Sequence, residues 1–312
     1  MHLSIHSKPP GFSCRLLLLP RSKTESRYSV FGGAINANEE IPVTSIKWYD
    51  EYLEFKRYGQ ATTYFEKVNY NQFPQSMTKN QIEDQFTYEK RFILGTDKYG
   101  RDLLSRLLIG SRISISIGFI AVFISLLIGV FFGALSGYYG GWIDRLILWL
   151  INIVWSIPTL LMVIAITLAL GRGYWQVFVA VGLTMWVEVA RLVRGQVKSI
   201  KETLFIQSGK ALGFSNFKIL TGHIFPLLIP PLIVISTANF ASAILMESGL
   251  SFLGIGAQPP MPSWGGMVKD HFRYLLLGKP YLALLPGMAI MMLVLAFMTL
   301  GNSLRDLLDV RN

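Results

Sequence analysis

The residues best suited to chemistry in this chain are few and far apart in the sequence. The four histidines, His2, His6, His223 and His271, show neither the H-E-x-x-H spacing nor the neighbouring cysteines of a metal site. Cys14 has no second cysteine with which to form an internal disulfide. No serine lies in a sequence that resembles a nucleophile elbow. The sequence therefore predicts no metal site and no catalytic residue, and we do not expect an enzyme.

Two glycine–lysine pairs could suggest a phosphate-binding loop, but neither has the rest of the pattern. Gly209-Lys210 and Gly278-Lys279 lack the upstream glycine and the following serine or threonine of G-x-x-x-x-G-K-[ST]. If the protein uses ATP, a partner subunit must bind it, and we expect no cofactor in this chain.

The composition indicates that a membrane surrounds much of the chain. Of its 312 residues, 52% are hydrophobic and only 15% are charged, which is unusual for a soluble domain. The formal net charge of +10 is typical of basic residues beside apolar runs, where they face lipid headgroups. No stripe of basic and aromatic residues lies outside those runs, so we expect no nucleic-acid binding.

Five uncharged segments are candidates for membrane-spanning helices, which need about 20 apolar residues. The predicted spans are 113–136, 146–170, 174–187, 226–246 and 281–303. We therefore expect an all-α integral membrane protein, a polytopic helical bundle. Residues 1–90 form a polar N-terminal segment without a span, and residues 91–312 form the transmembrane domain.

The interiors of the spans contain no ionisable group. Glu188 and Glu247 lie at span ends, where a carboxylate can reach the interface. Coupling to a proton or sodium gradient needs ionisable groups within the membrane, so the sequence argues against a secondary transporter. A passive channel and a scaffold stay open, although a channel would leave the basic loop 189–225 without a function.

Basic residues predict the orientation of the chain. The loop 189–225 has six basic residues and one acid, Glu202, and cytoplasmic loops carry such an excess. We therefore expect this loop and the C-terminus inside, and the segments before Ile113 and at 247–280 outside. An external N-terminus without a recognisable signal leads us to expect a sixth span upstream of about residue 30, lost by truncation, by a start-site error or by a frameshift.

The loop 189–225 is typical of a compact helical reversal. Its first short helix is predicted to end at Gly213, because glycine adopts the left-handed backbone conformation at little cost. An amphipathic turn that contains Phe217 follows, and Pro226 is suited to the first turn of the next span.

This loop resembles that of the permease subunits of bacterial binding-protein-dependent ABC importers, whose pattern is E-A-A-x-x-x-G, nine residues and I-x-L-P. In this chain the pattern falls on Gln207, Ser208, Gly209, Gly213, His223, Phe225 and Pro226. The glycine-to-proline spacing is kept, whereas the letters E-A-A are not. The resemblance implies that the loop docks on an ATPase subunit through Gln207, Ser208, Gly209, Ala211, Leu212, Gly213, Phe214, Ser215, Phe217, His223 and Pro226.

Four further blocks are similar to the dipeptide/oligopeptide permease group, and specifically to its C-type subunit. They are residues 94–106, 137–144, 190–196 and 250–260, and the resemblance covers about 92–311. It implies the fold of a type I ABC importer permease with six spans.

A second candidate site follows the fourth span, in a stretch rich in glycine and proline. Irregular backbone of this kind is tolerated where it is buried against protein. The segment is therefore either a structural re-entrant turn or a gate that touches the substrate or its binding protein. Its candidate residues are Glu247, Ser251, Phe252, Gly254, Pro259 and Pro260.

The resemblance also implies the partners and the mechanism. They are a second homologous permease, two ATP-binding subunits that hold ATP and Mg²⁺, an extracytoplasmic solute-binding protein and the lipid of the bacterial cytoplasmic (inner) membrane. Transport would proceed by alternating access. The expected substrates are di- and oligopeptides, and similar permeases carry nickel, glutathione or opines.

Overall fold

The chain divides into two compact units, which are described separately. The computed structural model describes residues 3–20, 27–29, 33–35, 38–60, 64–74, 77, 79–171, 173–257 and 261–308. Within these residues, the first unit comprises everything up to Arg112, residues 261–262 and Asp270–Pro286. The second unit comprises the described residues from Ile113 to 257, Ser263–Lys269 and those from Gly287 onward.

The first unit is built on antiparallel β-structure. Its strands are β1 (Phe12–Pro20), β2 (Arg27–Ser29), β3 (Gly33–Ile35), β4 (Asn38–Trp48), β5 (Tyr52–Arg57), β6 (Glu66–Asn69) and β7 (Thr87–Phe92). One five-stranded sheet has the order β6-β5-β4-β1-β7, and β2 pairs with β3 separately. The short helices of this part are two 3₁₀ turns, Leu3–Ile5 and Tyr70–Gln72, and α1 (Lys79–Phe86).

The apolar run 16–19 explains why a sheet forms in a segment that the sequence presented only as polar. It lies in β1, the strand between β4 and β7. Leu16 packs in one cluster with Cys14, whereas Leu17 packs in another with Phe55. Consecutive residues of a strand point to opposite faces, so a strand that is covered on both faces needs such a run. Burial raises the pKa of the Cys14 thiol to about 11.

A buried carboxylate organises the loop that precedes the first long helix. Asp97 is fully buried and accepts hydrogen bonds from the backbone N–H groups of Tyr99 and Arg101, both at 2.8 Å, and from Arg101 Nε at 2.7 Å. Lys98 Nζ lies 2.9 Å from Asp270 Oδ1. The block 94–106 of the sequence comparison is therefore a tightly bonded turn.

Long helices dominate the rest of the chain. They are α2 (Leu103–Tyr139), α3 (Gly141–Ser156), α4 (Thr159–Leu170), α5 (Tyr174–Lys201), α6 (Leu204–Ala211), α7 (Asn216–Ile219), α8 (Phe225–Leu253), α9 (Trp264–His271) and α10 (Tyr281–Leu308), with a π-helical turn at Leu220–Ile224 and a 3₁₀ turn at Phe272–Leu275. Within the described residues, four helices are long and apolar enough to cross a membrane: α2, α5, the continuous run Asn216–Leu253 and α10.

The second predicted span, 146–170, is not one straight helix. It is the pair α3 and α4, bent by 91° at the break, and it gives a fifth span if the pair counts as one. Pro158 causes the break because proline lacks an N–H and its ring disfavours a helical residue before it. Ile157 is accordingly extended, with φ −92° and ψ 128°.

Three glycines on one face of α2 allow that helix to approach α5 closely. A Cβ on Gly129, Gly133 or Gly137 would lie 2.5 to 2.7 Å from an atom of α5. Small residues at four-residue spacing bring helix backbones together in membranes. The face at residues 129–137 therefore holds α2 against α5, the helix that leads into the loop 189–225.

Candidate functional site

The loop that was predicted from its basic residues forms a helix–turn–helix between α5 and α8. Its reversal lies at Gly213, whose N–H donates to the carbonyl of Lys210 at 2.9 Å, while the N–H of Phe214 donates to the carbonyl of Gly209 at 3.1 Å. This pair of bonds is a Schellman motif, in which the reversing residue has a positive φ. Gly213 has a φ of +82°, so the reversal lies at the residue that the sequence predicts.

The second half of the loop restarts the helix at a capped N-terminus. Ser215 Oγ accepts the N–H of Lys218 at 3.3 Å and satisfies one of the donors that a helix start leaves free. Tyr138, at the end of α2, donates its hydroxyl to Asn216 Oδ1 at 2.7 Å. Pro226 lies in the first turn of α8, where its missing N–H costs nothing.

The inner side of the loop is packed against α5. Ile206 of α6, Ile219 of α7 and Ile224 of the π-helical turn are each 1% exposed or less, and they share a core cluster with Val193 and Val197 of α5. Burial of an isoleucine contributes about 1.5–3 kcal/mol. The two short helices are therefore fixed to the end of a spanning helix.

His223 is half-buried and packs against two aromatic side chains of the loop. Its ring stacks on Phe214 with a centroid separation of 5.7 Å, and it meets the edge of Phe205 at 5.3 Å. His271, in the first unit, accepts the N–H of Lys98 at Nε2 over 3.3 Å. In the part of the chain that the structure describes, no group of three or more His, Cys, Asp or Glu side chains could hold a metal ion.

The outer side of the loop presents large apolar side chains to solvent. Leu204 is 81% exposed, Phe205 63%, Leu212 75% and Phe217 76%. We call these four residues the outer patch. Large apolar side chains exposed on a well-packed frame are typical of a protein interaction site. The sequence comparison missed Leu204 and Phe205 because they precede the family pattern.

The predicted loop residues divide between the two sides. Those that are exposed are Gln207, Ser208, Ala211, Leu212, Gly213, Ser215, Phe217 and Pro226. Those that are half-buried are Gly209, Phe214 and His223. The motif therefore combines residues that shape the reversal with residues that lie on its surface.

The second candidate site begins with a buried acid, which differs from expectation. We expected Glu247 to reach the membrane interface, but it is 1% exposed. The expectation was wrong because α8 continues past residue 246 to Leu253, so that Glu247 stays within the packed helices. Its Oε1 accepts the hydroxyl of Ser251 at 2.6 Å.

The chain after α8 folds back over the end of that helix. Gly254 reverses it with a φ of +84°, and the N–H of Ala257 donates to Ser251 Oγ at 3.2 Å. A Cβ on Gly265, near the start of α9, would lie 2.4 Å from the carbonyl oxygen of Ser248. Phe252 is 43% exposed, and Pro259 and Pro260 lie outside the described residues.

The family model and the related proteins that match this chain agree with one another. The family described as "Binding-protein-dependent transport system inner membrane component" matches residues 129–312. The dipeptide transport system permease protein DppC of Alkalihalophilus pseudofirmus is 42% identical over 215 residues, which cover 69% of this chain and 70% of the relative. The glutathione transport system permease protein GsiD of Escherichia coli is 35% identical over 289 residues, which cover 88% of this chain and 95% of the relative.

Solved structures show the same fold. An inward-facing conformation of the MetNI methionine ABC transporter aligns with a TM-score of 0.55 at 18% sequence identity, covering 65% of this chain and 96% of that chain. A second crystal form of the same transporter has a TM-score of 0.51. At this level of identity, the likeness concerns the arrangement of the helices.

Proposed function

The chain belongs to the family of binding-protein-dependent transport system inner membrane components, and from that premise we propose that its outer patch couples ATP hydrolysis by partner subunits to the import of short peptides. Membership makes the chain a multi-pass permease subunit of an ABC importer in the inner membrane. The coupling residues, the number of partners and the substrate are the parts that we propose.

The observation that carries the coupling proposal is the outer patch on a rigid base. Each of its four residues is more than 60% exposed, while the inner side of the same two helices is anchored to α5 by Ile206 and Ile219. Movement of a partner that is bound to the patch would therefore displace α5 and α8. Two ATP-binding subunits, which hold ATP and Mg²⁺, are the proposed partners, one for this chain and one for a second permease.

Substitution within the outer patch tests this role. We expect the double variant Leu212→Ser/Phe217→Ser to lower co-purification of ATP-binding subunits from native membranes by about tenfold or more. The reason is that two apolar side chains that become buried in an interface contribute at least about 1.4 kcal/mol to binding. Leu276→Ser is the matched control, since Leu276 is 93% exposed and lies in the first unit. Equal recovery of ATP-binding subunits from the patch variant and from this control would refute the proposal.

Short peptides are the proposed substrate class. The relatives are a dipeptide permease and a glutathione permease by name, and glutathione is itself a tripeptide. The intact importer can be assayed for uptake of a labelled dipeptide and of labelled glutathione, each with the other peptide as an unlabelled competitor. This assay would show which of the two peptides is imported. Nickel or another small solute is the alternative, and it would be favoured if neither of the two peptides entered.

A passive channel or a secondary transporter would behave differently in the same assay. Import by an ATP-driven machine stops when ATP is depleted and continues when the ion gradients are collapsed. Uptake that persists without ATP would indicate a channel, and uptake that needs a proton or sodium gradient would indicate a secondary transporter. Either outcome would overturn the ATP-coupling proposal.

The segment after α8 is proposed as a gate on the extracytoplasmic side. Its support is the close packing of Gly265 on Ser248 and the bond from Ala257 to Ser251, which hold the segment over the end of a spanning helix. An extracytoplasmic solute-binding protein would deliver substrate on this side. This role rests on the membrane orientation that the basic residues predict.

A further inference from the structure

A basic cleft lies behind α6, on the side opposite to the outer patch. Its volume is about 410 Å³, and its walls come from the end of α2, the start of α3, the end of α5 and α6. The charged residues that line it are Asp144, Lys198, Lys201, Glu202 and Lys210. All of them belong to the second unit.

The carboxylate of Asp144 is bonded mainly to an arginine, although its charge also acts on Lys198. Its Oδ1 accepts Arg194 Nε at 2.6 Å and its Oδ2 accepts Arg194 Nη2 at 2.7 Å. The hydroxyl of Ser136 also donates to Oδ1. A bidentate pair of this kind is a strong ion pair. Among the described lining residues, Glu202 is the second carboxylate, so the three cleft lysines and Arg194 together face two carboxylates.

Two of the lysines lie beside the same aromatic ring. The Nζ atoms of Lys201 and Lys210 lie 5.4 and 5.2 Å from the ring centroid of Tyr138. Lys201 Nζ also donates to the carbonyl oxygen of Tyr138 at 2.5 Å. Within the described residues, neither lysine has a carboxylate within ion-pair distance. Like charges held in this way repel one another, and an anion between them would remove the repulsion.

Exposed aromatic residues beside the cleft are typical of the level of the lipid headgroups. The cleft borders the turn at Gly140 and Gly141, where the apolar helix α2 ends. Tyr139 and Trp142 flank that turn and are 48% and 66% exposed. Exposed tyrosine and tryptophan at the end of a spanning helix mark the membrane–water interface.

We propose that this cleft binds the phosphodiester headgroup of an anionic phospholipid through the ammonium groups of Lys198, Lys201 and Lys210. Basic pockets between spanning helices on the cytoplasmic side bind such headgroups. Tyr139 and Trp142, which flank the turn that borders the cleft, offer an exposed aromatic surface to the acyl chains. A free phosphate ion would use the same ammonium groups but would gain nothing from that surface.

Lipid bound in this cleft would stabilise the position of α6 on the side opposite to the outer patch. Lys210 and Gln207 of α6 both line it, so the bound headgroup would bridge α6 to the ends of α2 and α5. Anionic lipid would then hold α6 in place without contacting the outer patch.

Native mass spectrometry of the full-length protein in detergent micelles tests the proposal, with phosphatidylglycerol and phosphatidylcholine as the added lipids. Lys198 and Lys210 are exposed, so the variant Lys198→Gln/Lys210→Gln changes charge with little effect on packing. Lys198→Arg/Lys210→Arg keeps the charge. Lys218→Gln, in the same loop but outside the cleft, controls for general attraction to the anionic lipid.

The wild type is expected to retain phosphatidylglycerol in preference to phosphatidylcholine. The glutamine variant should lose affinity for phosphatidylglycerol by about 30-fold, or about 1 kcal/mol for each lysine. The arginine variant should stay within about twofold of wild type, because it keeps the charge that a phosphate contact requires. Lys218→Gln should also stay within about twofold, because Lys218 does not line the cleft. Unchanged retention by the glutamine variant, or equal loss in the arginine variant, would overturn the proposal. Displacement of the lipid by inorganic phosphate would assign the cleft to free phosphate instead.

Discussion

Single residues in the loop 189–225 have roles that their immediate surroundings explain. Gly213 reverses the chain in the left-handed region, yet a Cβ at this position would meet no atom within 4 Å. A side chain there would therefore be strained by the backbone alone. Its neighbour Leu212 shows the complementary case, because its backbone is ordinary and its side chain is 75% exposed. One residue shapes the reversal and the next provides its surface.

The backbone requirement at Gly213 predicts a difference between two substitutions. Gly213→Asn should retain most ATP-dependent uptake, because asparagine tolerates the left-handed region, whereas Gly213→Val should lose most of it, because a β-branched residue there is a true outlier. Initial uptake rates for the two variants and wild type, at matched expression, provide the measurement. Similar rates for asparagine and valine would show that the positive φ has no part in coupling.

The spanning helices show which parts of the fold could be read from the sequence. Long uncharged runs predicted α2, α8 and α10, because apolar length is what a bilayer requires. The break at Pro158 was missed although proline signals it, since hydropathy alone does not distinguish a straight span from a bent one. The sheet was missed because residues 1–90 were judged only by whether they contain a span. The run 16–19 is too short for a span but long enough for a strand that is covered on both faces.

The candidate site was predictable to a similar extent. The reversal at Gly213 follows from the chemistry of glycine, and Pro226 from that of a helix start. The burial of Glu247 was not predictable, because it depends on how far α8 extends and on the chain that folds back over it. The cleft behind α6 is formed by residues from four helices, so no local sequence pattern predicts it.

Close packing between α2 and α5 predicts another pair of results. Gly133→Ala should lower the thermal stability of the purified protein, because its Cβ would lie 2.6 Å from the carbonyl of Ala190 and overpacking costs about 1–3 kcal/mol. Gly195→Ala is the matched control on α5, since a Cβ there meets nothing within 4 Å. Equal melting temperatures for both variants would show that α2 does not depend on this contact.

At the scale of the whole molecule, the chain presents different chemistry on the two sides of the membrane. By the predicted orientation, a sheet-based unit lies outside and a basic helical reversal lies inside.

Cysteine accessibility tests the predicted orientation. In a Cys14→Ala background, Leu276→Cys should react with a membrane-impermeant maleimide on intact spheroplasts, whereas Leu212→Cys should react only after permeabilisation. Both side chains are well exposed, at 93% and 75%, so any difference reports the side of the membrane. The native thiol adds little background even when it is present, because burial raises the pKa of Cys14 to about 11 and the thiolate is the reactive form. Labelling of Leu212→Cys before permeabilisation would show that the orientation is the reverse of the predicted one.

The continuous helical run Asn216–Leu253 has a mechanical consequence. Its 38 residues span about 57 Å at about 1.5 Å per residue, so a tilt of a few degrees at the loop displaces the far end by several ångströms. The run is not uniformly stiff, because the π-helical turn and the prolines Pro230 and Pro231 interrupt its regular hydrogen bonding. Regular hydrogen bonding is thus interrupted only within residues 220–231 of this run, whereas residues 232–253 contain no proline and carry Ser251 near the far end.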